Sequence, residues 1–288
     1  MSEPGSASLP GRIAFSGEPG AFAEDAVRAA FGEVDRVGLP GFRQVFDEVA
    51  AGGSVAGVVP IENSVHGTVR ENYDLLLEHD LELRAEVVVP VRLCLAALPG
   101  DRIEDIERVY SHVQALGQAE AYLRTRAWAL LTTYNTAGAG RLILDRQEHG
   151  SAAVLSPRAA GLFGLRILAD GIQDVDDNRT RFLVIARHDA GLPEVITATG
   201  DAMRTTLVVA VRNEPGALLR VLTVFSAHAL NMSTIESRPS RERAWEYVFW
   251  IDLDAAADDP AAAAALADLE AVTTMTRVLG SYPRAAQG

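Results

Sequence analysis

Asp176-Asp177-Asn178-Arg179-Thr180-Arg181-Phe182-Leu183-Val184-Ile185 changes character halfway along. The first half is polar and reads as a loop. The second half, continued by Ala186, is an unbroken apolar run and reads as a buried strand. A hydroxyl, two guanidiniums and an aromatic ring therefore stand where a loop enters the interior of a domain. Rigid scaffolds commonly hold polar groups against a ligand at such junctions. Thr180 also suits the mere start of a strand, so the stretch needs the rest of the chain to decide it.

Elsewhere in the chain one pattern recurs: a short apolar strand, a polar loop, the start of a helix. It occurs at Ser16-Gly17-Glu18-Pro19-Gly20, at Glu62-Asn63-Ser64-Val65-His66-Gly67, at Ser111-His112-Val113-Gln114, at Asn135-Thr136 and at Ser156-Pro157. In an α/β sheet such loops leave the carboxyl ends of the strands, where ligands bind. Each helix start offers unpaired N–H groups and a partial positive charge, so several together form an anion site without lysines. Ser156, followed by Pro157, reads as an N-cap. Leu81 to Val87 alternates strictly and predicts a half-exposed strand with Glu82, Arg84 and Glu86 outward. Pro90 to Leu98 predicts a more apolar strand, with Cys94 as a packing residue. One helix is expected to carry Ala115, Leu116, Ala119 and Leu123, capped by Ser111.

His188 to Arg204 contains Gly191, Pro193 and Gly200 with little periodicity and reads as a linker. Beyond it the order is strand Thr205–Val211, helix Ala217–Ala229, strand Met232–Arg238, turn Ser240–Arg243, strand Ala244–Leu253, helix Pro260–Val272 and strand Met275–Leu279. This β-α-β-β-α-β order is ferredoxin-like.

Composition bounds the function. The 288 residues suggest two domains. A net charge of −13 disfavours nucleic acid, which needs a basic face. No apolar run approaches the roughly 18 residues of a membrane span, and Met1 to Gly11 lacks the features of a secretory signal. With one cysteine there is no internal disulfide framework, and the cytoplasm is the expected compartment. The six histidines show no paired metal-ligand spacing, and no dinucleotide fingerprint occurs, so neither metal nor cofactor is expected.

Three pieces then resemble the prephenate dehydratases: Gly57-Val58-Val59-Pro60-Ile61-Glu62-Asn63-Ser64, Tyr110-Ser111-His112-Val113-Gln114-Ala115-Leu116 and Asn178-Arg179-Thr180-Arg181-Phe182. Two more, Gly216-Ala217-Leu218-Leu219 and Glu236-Ser237-Arg238-Pro239, resemble the phenylalanine-binding motifs of an ACT domain. All five in this order are specific, and the likeness covers residues 12 to 283. It implies a two-lobed catalytic domain like a type II periplasmic binding protein over residues 12–188, with lobe 1 at about 12–88 plus 172–188 and lobe 2 at about 89–171. A linker over 189–204 and an ACT domain over 205–283 follow. The short N-terminal segment suggests a monofunctional enzyme without a fused chorismate mutase.

The resemblance further implies decarboxylating dehydration of prephenate to phenylpyruvate, regulation by L-Phe, and a homodimer or homotetramer. Asn63, Ser111 and Gln118 match residues that the family places at its site and are expected to orient the substrate, while Thr180 is the expected hydrogen-bond donor at the leaving hydroxyl, with Glu62 as the alternative proton donor. Gln118, two helical turns after Ser111, is expected to share its face. His112 is a weaker candidate for proton transfer, since its cation is disfavoured at a helix start. Arg181 is expected to hold a carboxylate with its planar fork, or to pair with Asp176 or Asp177. Phe182, Asn135, Thr136, Ser16 and Gly17 complete the expected substrate contacts. Asn213, Gly216, Ala217, Leu218, Leu219, Asn231, Glu236 and Ser237 are the expected L-Phe contacts.

One departure bears on substrate. The first loop reads Gly20-Ala21-Phe22-Ala23, where bacterial relatives commonly have Gly-Thr-Tyr-Ser. The Gly-Ala form resembles plant arogenate dehydratases. Arogenate is thus an alternative substrate. A related prephenate decarboxylase is disfavoured by the intact Thr180-Arg181-Phe182, and a non-catalytic amino-acid sensor by the polar residues at the loops.

Overall fold

The structure is a computed structural model that describes residues 11–194, 199–239 and 247–285. The turn expected at Ser240–Arg243 lies outside the described residues. The chain packs as two compact units. One takes in the chain as far as Asp80, Val87–Leu183 and the residues from Asp189. The other combines Leu81–Glu86, Val184–His188 and the C-terminal module.

The first unit opens with β1 (Ile13–Ser16), α1 (Phe22–Phe31), β2 (Arg36–Leu39), α2 (Phe42–Ala50), β3 (Ala56–Asn63), the short β4 (Gly67–Thr68) and α3 (Arg70–Glu78). Helix α2 buries Val45, Phe46 and Val49, the stripe its spacing predicts. Next come β5 (Glu82–Pro90), whose residues up to Glu86 belong to the other unit, and β6 (Cys94–Ala97), then β7 (Arg108–Ser111), α4 (Val113–Gln118) and α5 (Glu120–Leu123). The lobe continues with β8 (Ala129–Thr132), α6 (Thr136–Arg146), β9 (Ser151–Leu155), α7 (Pro157–Leu162) and β10 (Arg166–Asp170), and β11 (Arg179–Ala186) returns to the first sheet.

Two sheets result. The first runs β2-β1-β3-β11-β5 with β4 beside β3, and the second runs β10-β6-β9-β7-β8. Strand β1 is parallel to β2 and β3, and β7 is parallel to β8 and β9. Each sheet therefore sends its loops from one edge. Around the second sheet, Leu93, Leu95, Val109 and Val154 form a core on one side. Cys94, Ala153, Leu155 and Ile143 form a core on the other. Burial pushes the Cys94 thiol up to about 12, so it stays a protonated packing group.

The second unit holds β12 (Thr199–Val211), α8 (Ala217–Ala227), β13 (Met232–Pro239), β14 (Tyr247–Leu253), α9 (Pro260–Leu269) and β15 (Met275–Ala285). Its antiparallel sheet runs β13-β14-β12-β15, with both helices packed over Leu207, Val209, Phe249 and Ile251. This is the ferredoxin-like arrangement.

Several local expectations change. Strand β12 begins at Thr199, inside the expected linker, because its pairing with β15 shifts register between Thr199 and Met203 and hides the two-residue period. Glu86, expected outward, is only 2% exposed. It pairs with the buried Arg204, and its other carboxylate oxygen accepts from Ala285 N at 2.8 Å. The helix expected from Ser111 to Leu123 is two short ones separated at Ala119.

Candidate active site

The two edges from which the loops leave meet each other within the first unit. Ser156 Oγ donates to Gly20 O at 3.1 Å while accepting from Ala159 N at 3.1 Å, so it caps α7 and also bridges the lobes. Tyr134 donates its hydroxyl to Glu18 at 3.1 Å. Arg158 of α7 reaches Glu24 at 2.8 Å and Asp25 at 3.0 Å on α1. Gly20 has φ +91°, and a Cβ there would lie 2.8 Å from Ala159 Cβ. Only glycine permits this approach.

The lobes are also joined by two chain crossings. Val91 N donates to Asn178 O at 2.7 Å, Ile172 N to Leu93 O at 3.0 Å, and Leu93 N to the Gln173 side chain at 3.0 Å. Thr180 stands where the second crossing enters β11.

Asn63, at the end of β3, organises this corner. Its Oδ1 accepts from Val65 N and His66 N at 3.0 and 2.9 Å, which fixes the following loop. Its Nδ2 faces Thr180 Oγ1 at 3.0 Å, Asn178 Oδ1 at 2.7 Å and Arg179 O at 3.1 Å. Thr180 is 9% exposed. A hydroxyl that accepts from an amide keeps its own proton to donate elsewhere. Replacing Asn63 by Ala should lower kcat roughly tenfold or more, the scale of a lost positioned hydrogen bond in the transition state. Steady-state kinetics check this, and an unchanged kcat would remove Asn63 from the role.

The other expected residues fall in different places. Successive strand side chains face opposite sides. Asn63 and Thr180 share one face, and Glu62 and Arg181 the other, with Arg181 3.5 Å from Glu62. The acid pairing with Asp177 belongs to Arg179 rather than Arg181. Phe182 is 2% exposed and packs in the core. Ser111 is fully buried and donates to Val154 O at 2.6 Å, so its proton is committed to β9. The cap of α4 is His112, whose Nδ1 accepts from Gln114 N at 3.4 Å. Burial lowers the His112 pKa, which disfavours the charged ring. Because α4 begins at Val113, Ser111 and Gln118 do not share a helix face. Gln118 closes α4, half-buried, with its carbonyl accepting from Asp174 N at 2.7 Å.

Asn135 caps α6 by accepting from Gly138 N, and Thr136 is the first helical residue. Ser16 ends β1, and Gly17 N is taken by Leu39 O at 2.7 Å. Glu24, Arg158 and Tyr134 carry no motif signal in the sequence, and Asn178 stands in it only as part of the Asn178–Phe182 piece.

Glu24 is 5% exposed. Burial pushes its carboxyl up, but bonds from Gly20 N, Arg36 and Arg158 outweigh this and hold it below the usual carboxylate value. Its neighbour Asp25 is pushed up to about 6 by burial, with Arg158 opposing and Glu24 adding to the rise. The folded value lies above the ordinary 3.8. Asp25 thus contributes stability that is complete below about pH 4 and lost as pH rises through about 6. Asp25→Asn should flatten the decline in unfolding free energy between pH 4 and 7 in urea titrations. An identical decline in the variant would contradict this.

In the second unit, Gly216 adopts φ +82° and starts α8. Asn213 is exposed before it, Ala217 is buried, Leu218 is half-buried and Leu219 is exposed. Asn231 donates to Asp254 at 2.7 Å. Glu236 and Ser237 lie on β13, at the sheet's margin.

Fold and site together define a two-lobed α/β enzyme with its loops converging between the lobes, followed by a ferredoxin-like module. The prephenate dehydratase family model matches residues 13–190, and the ACT domain model matches residues 205–271. Arogenate dehydratase/prephenate dehydratase 2 of Arabidopsis thaliana is 39% identical over 281 residues, 94% of this chain and 72% of its own length. The prephenate dehydratase of Arthrobacter aurescens, solved in complex with L-Phe, superposes with a TM-score of 0.83 at 34% identity, covering 95% of this chain and 90% of that one. GqqA, described as a novel type of quorum-quenching acylase, superposes with a TM-score of 0.85 at 30% identity, covering 95% of this chain and 98% of that one.

The chain belongs to the prephenate dehydratase family, whose enzymes are lyases, and it carries a C-terminal ACT domain. Among the described residues no helix is long and apolar enough to cross a membrane.

Proposed function

We propose that this enzyme converts prephenate to phenylpyruvate, water and carbon dioxide, and that L-Phe regulates it through the ACT domain. The observation that carries the reading is the Asn63–Thr180 hydrogen bond, where the chain crossing from the second lobe enters β11. In the reaction the ring carboxylate leaves as CO2, its bonding electrons enter the ring, and the ring hydroxyl departs with a proton as water. Aromatisation supplies the driving force. A Thr hydroxyl is a poor acid by pKa. Thr180 acts instead as a positioned donor that stabilises charge on the departing oxygen. The free N–H groups at the starts of α1 and α6 are the candidates for holding the substrate's carboxylates, with the Gly17–Gly20 loop, whose glycine N–H groups are taken by Leu39 O and Glu24, as a wall beside them.

Arogenate is the second reading. It is supported by the 39% identity to the Arabidopsis enzyme named for both activities and by the Gly20-Ala21 loop. An acylase reading is less well supported. A Thr nucleophile needs an adjacent base, and the neighbour of Thr180 Oγ1 is the amide donor of Asn63.

The L-Phe reading draws on the Arthrobacter complex and on Gly216 opening α8 with its backbone exposed. An amino-acid carboxylate fits the N–H groups there. In the cytoplasm and as a homo-oligomer, the enzyme would serve L-phenylalanine biosynthesis. The test is kcat/KM for prephenate and for arogenate, each with L-Phe titrated. Prephenate turnover that responds to L-Phe supports the proposal. Turnover of arogenate alone reassigns the substrate, and turnover of neither overturns the enzymatic reading.

A further inference from the structure

Glu24 is a buried carboxylate that the reaction itself does not use, yet its three partners come from three separate elements. Gly20 N donates to it at 2.6 Å from the first loop, Arg36 at 2.6 Å from β2, and Arg158 at 2.8 Å from α7 of the opposite lobe. The Gly20 residue is thereby held at both polar groups: its N–H by Glu24 and its carbonyl by Ser156 Oγ. The absence of a side chain at Gly20 lets α7 close against it. The loop that this residue ends leaves the same sheet edge as Asn63 and Thr180, because β1 and β3 are parallel neighbours.

We propose that Glu24 is a positioning residue: with Arg158 it clamps the Ser16–Gly20 loop across the lobe boundary and so sets how tightly the cleft holds its anionic substrate. Arg158 is the cation of the clamp. It pairs with Glu24 and Asp25 together, so its charge is spent on α1 rather than offered to the substrate. The loop's position at the substrate rests on the function proposed above. The clamp itself does not.

A clamp of this kind acts on binding more than on chemistry. Glu24→Gln keeps an acceptor for Gly20 N but removes the charge that holds Arg158. Arg158→Met removes the crossing cation. Each is expected to raise KM about tenfold with kcat within twofold, the scale of one charge-assisted hydrogen bond. The double variant is expected to be no worse than the worse single one, because both break one unit. Each single variant should also speed hydrogen exchange at the Gly20 amide.

The test combines steady-state kinetics with residue-resolved hydrogen exchange on the full chain, using Arg158→Lys as a milder variant should Arg158→Met fold poorly. A lower thermal midpoint with unchanged KM would mean ordinary fold stabilisation and overturn the proposal. So would multiplicative effects in the double variant, or Gly20 exchange unmoved by either change. If the wild type turns over neither prephenate nor arogenate, the functional reading fails. The Gly20 exchange of the two single variants still decides the clamp.

Discussion

Thr180→Ala is expected to lower kcat for prephenate by two orders of magnitude or more while KM changes only a few-fold. The hydroxyl is nearly buried and held by Asn63 Nδ2 at 3.0 Å. Because that oxygen accepts from Asn63, its own proton remains to be donated, on the proposed reading to the substrate's departing hydroxyl. A preorganised donor of this kind works mainly in the transition state, and losing one costs about 100- to 1000-fold in kcat. Thr180→Ser retains the hydroxyl and should recover much of the rate. Stopped assays for phenylpyruvate across a substrate series measure both constants. Near-normal turnover of the Ala variant would remove Thr180 from the chemistry. A large rise in KM with kcat intact would make it a binding group.

Arg204→Met is expected to destabilise the chain by about 3 kcal/mol or more, the cost of breaking a buried ion pair from one side. Glu86 is 2% exposed, and the Arg204 side chain beside it is 7% exposed. The Ala285 N–H that also reaches Glu86 cannot offset a full charge once the guanidinium is gone. Neutralising the partner as well, in Glu86→Gln/Arg204→Met, should recover part of the loss, since the penalty lies in the uncompensated charge. Urea unfolding followed by circular dichroism measures both variants. A loss below about 1 kcal/mol, the range of an exposed pair, would mean that water reaches Glu86.

The alternation of apolar strand, polar loop and helix was legible, because burial on both sheet faces leaves continuous apolar runs such as Phe182–Ala186. The order of elements in the C-terminal module was equally plain. The corner formed by Asn63 and Thr180 was legible through the family resemblance of two short pieces lying 117 positions apart. The placement of Glu62 and Arg181 away from Thr180 was available in principle. Residues adjacent on a strand face opposite sides, so Thr180 and Arg181 could not both point the same way.

Other features had no local signal. Glu86 alternates correctly for an outward residue, but alternation describes the pleat and not what later covers it. Ser111 looks like an N-cap, yet its hydroxyl finds the Val154 carbonyl of a neighbouring strand, and the cap passes to His112. Glu24 reads as an ordinary acidic residue in a helix's first turn. Its cross-lobe partner Arg158 is brought near only by the meeting of two sheets.

The most direct test of the proposed reaction is to measure CO2 and phenylpyruvate together after prephenate is added to the purified wild-type chain at neutral pH. The predicted result is one CO2 for each phenylpyruvate, with both released about 100-fold or more slowly by Thr180→Ala. Release of CO2 without an aromatic product, or no release of either from the wild type, would contradict it.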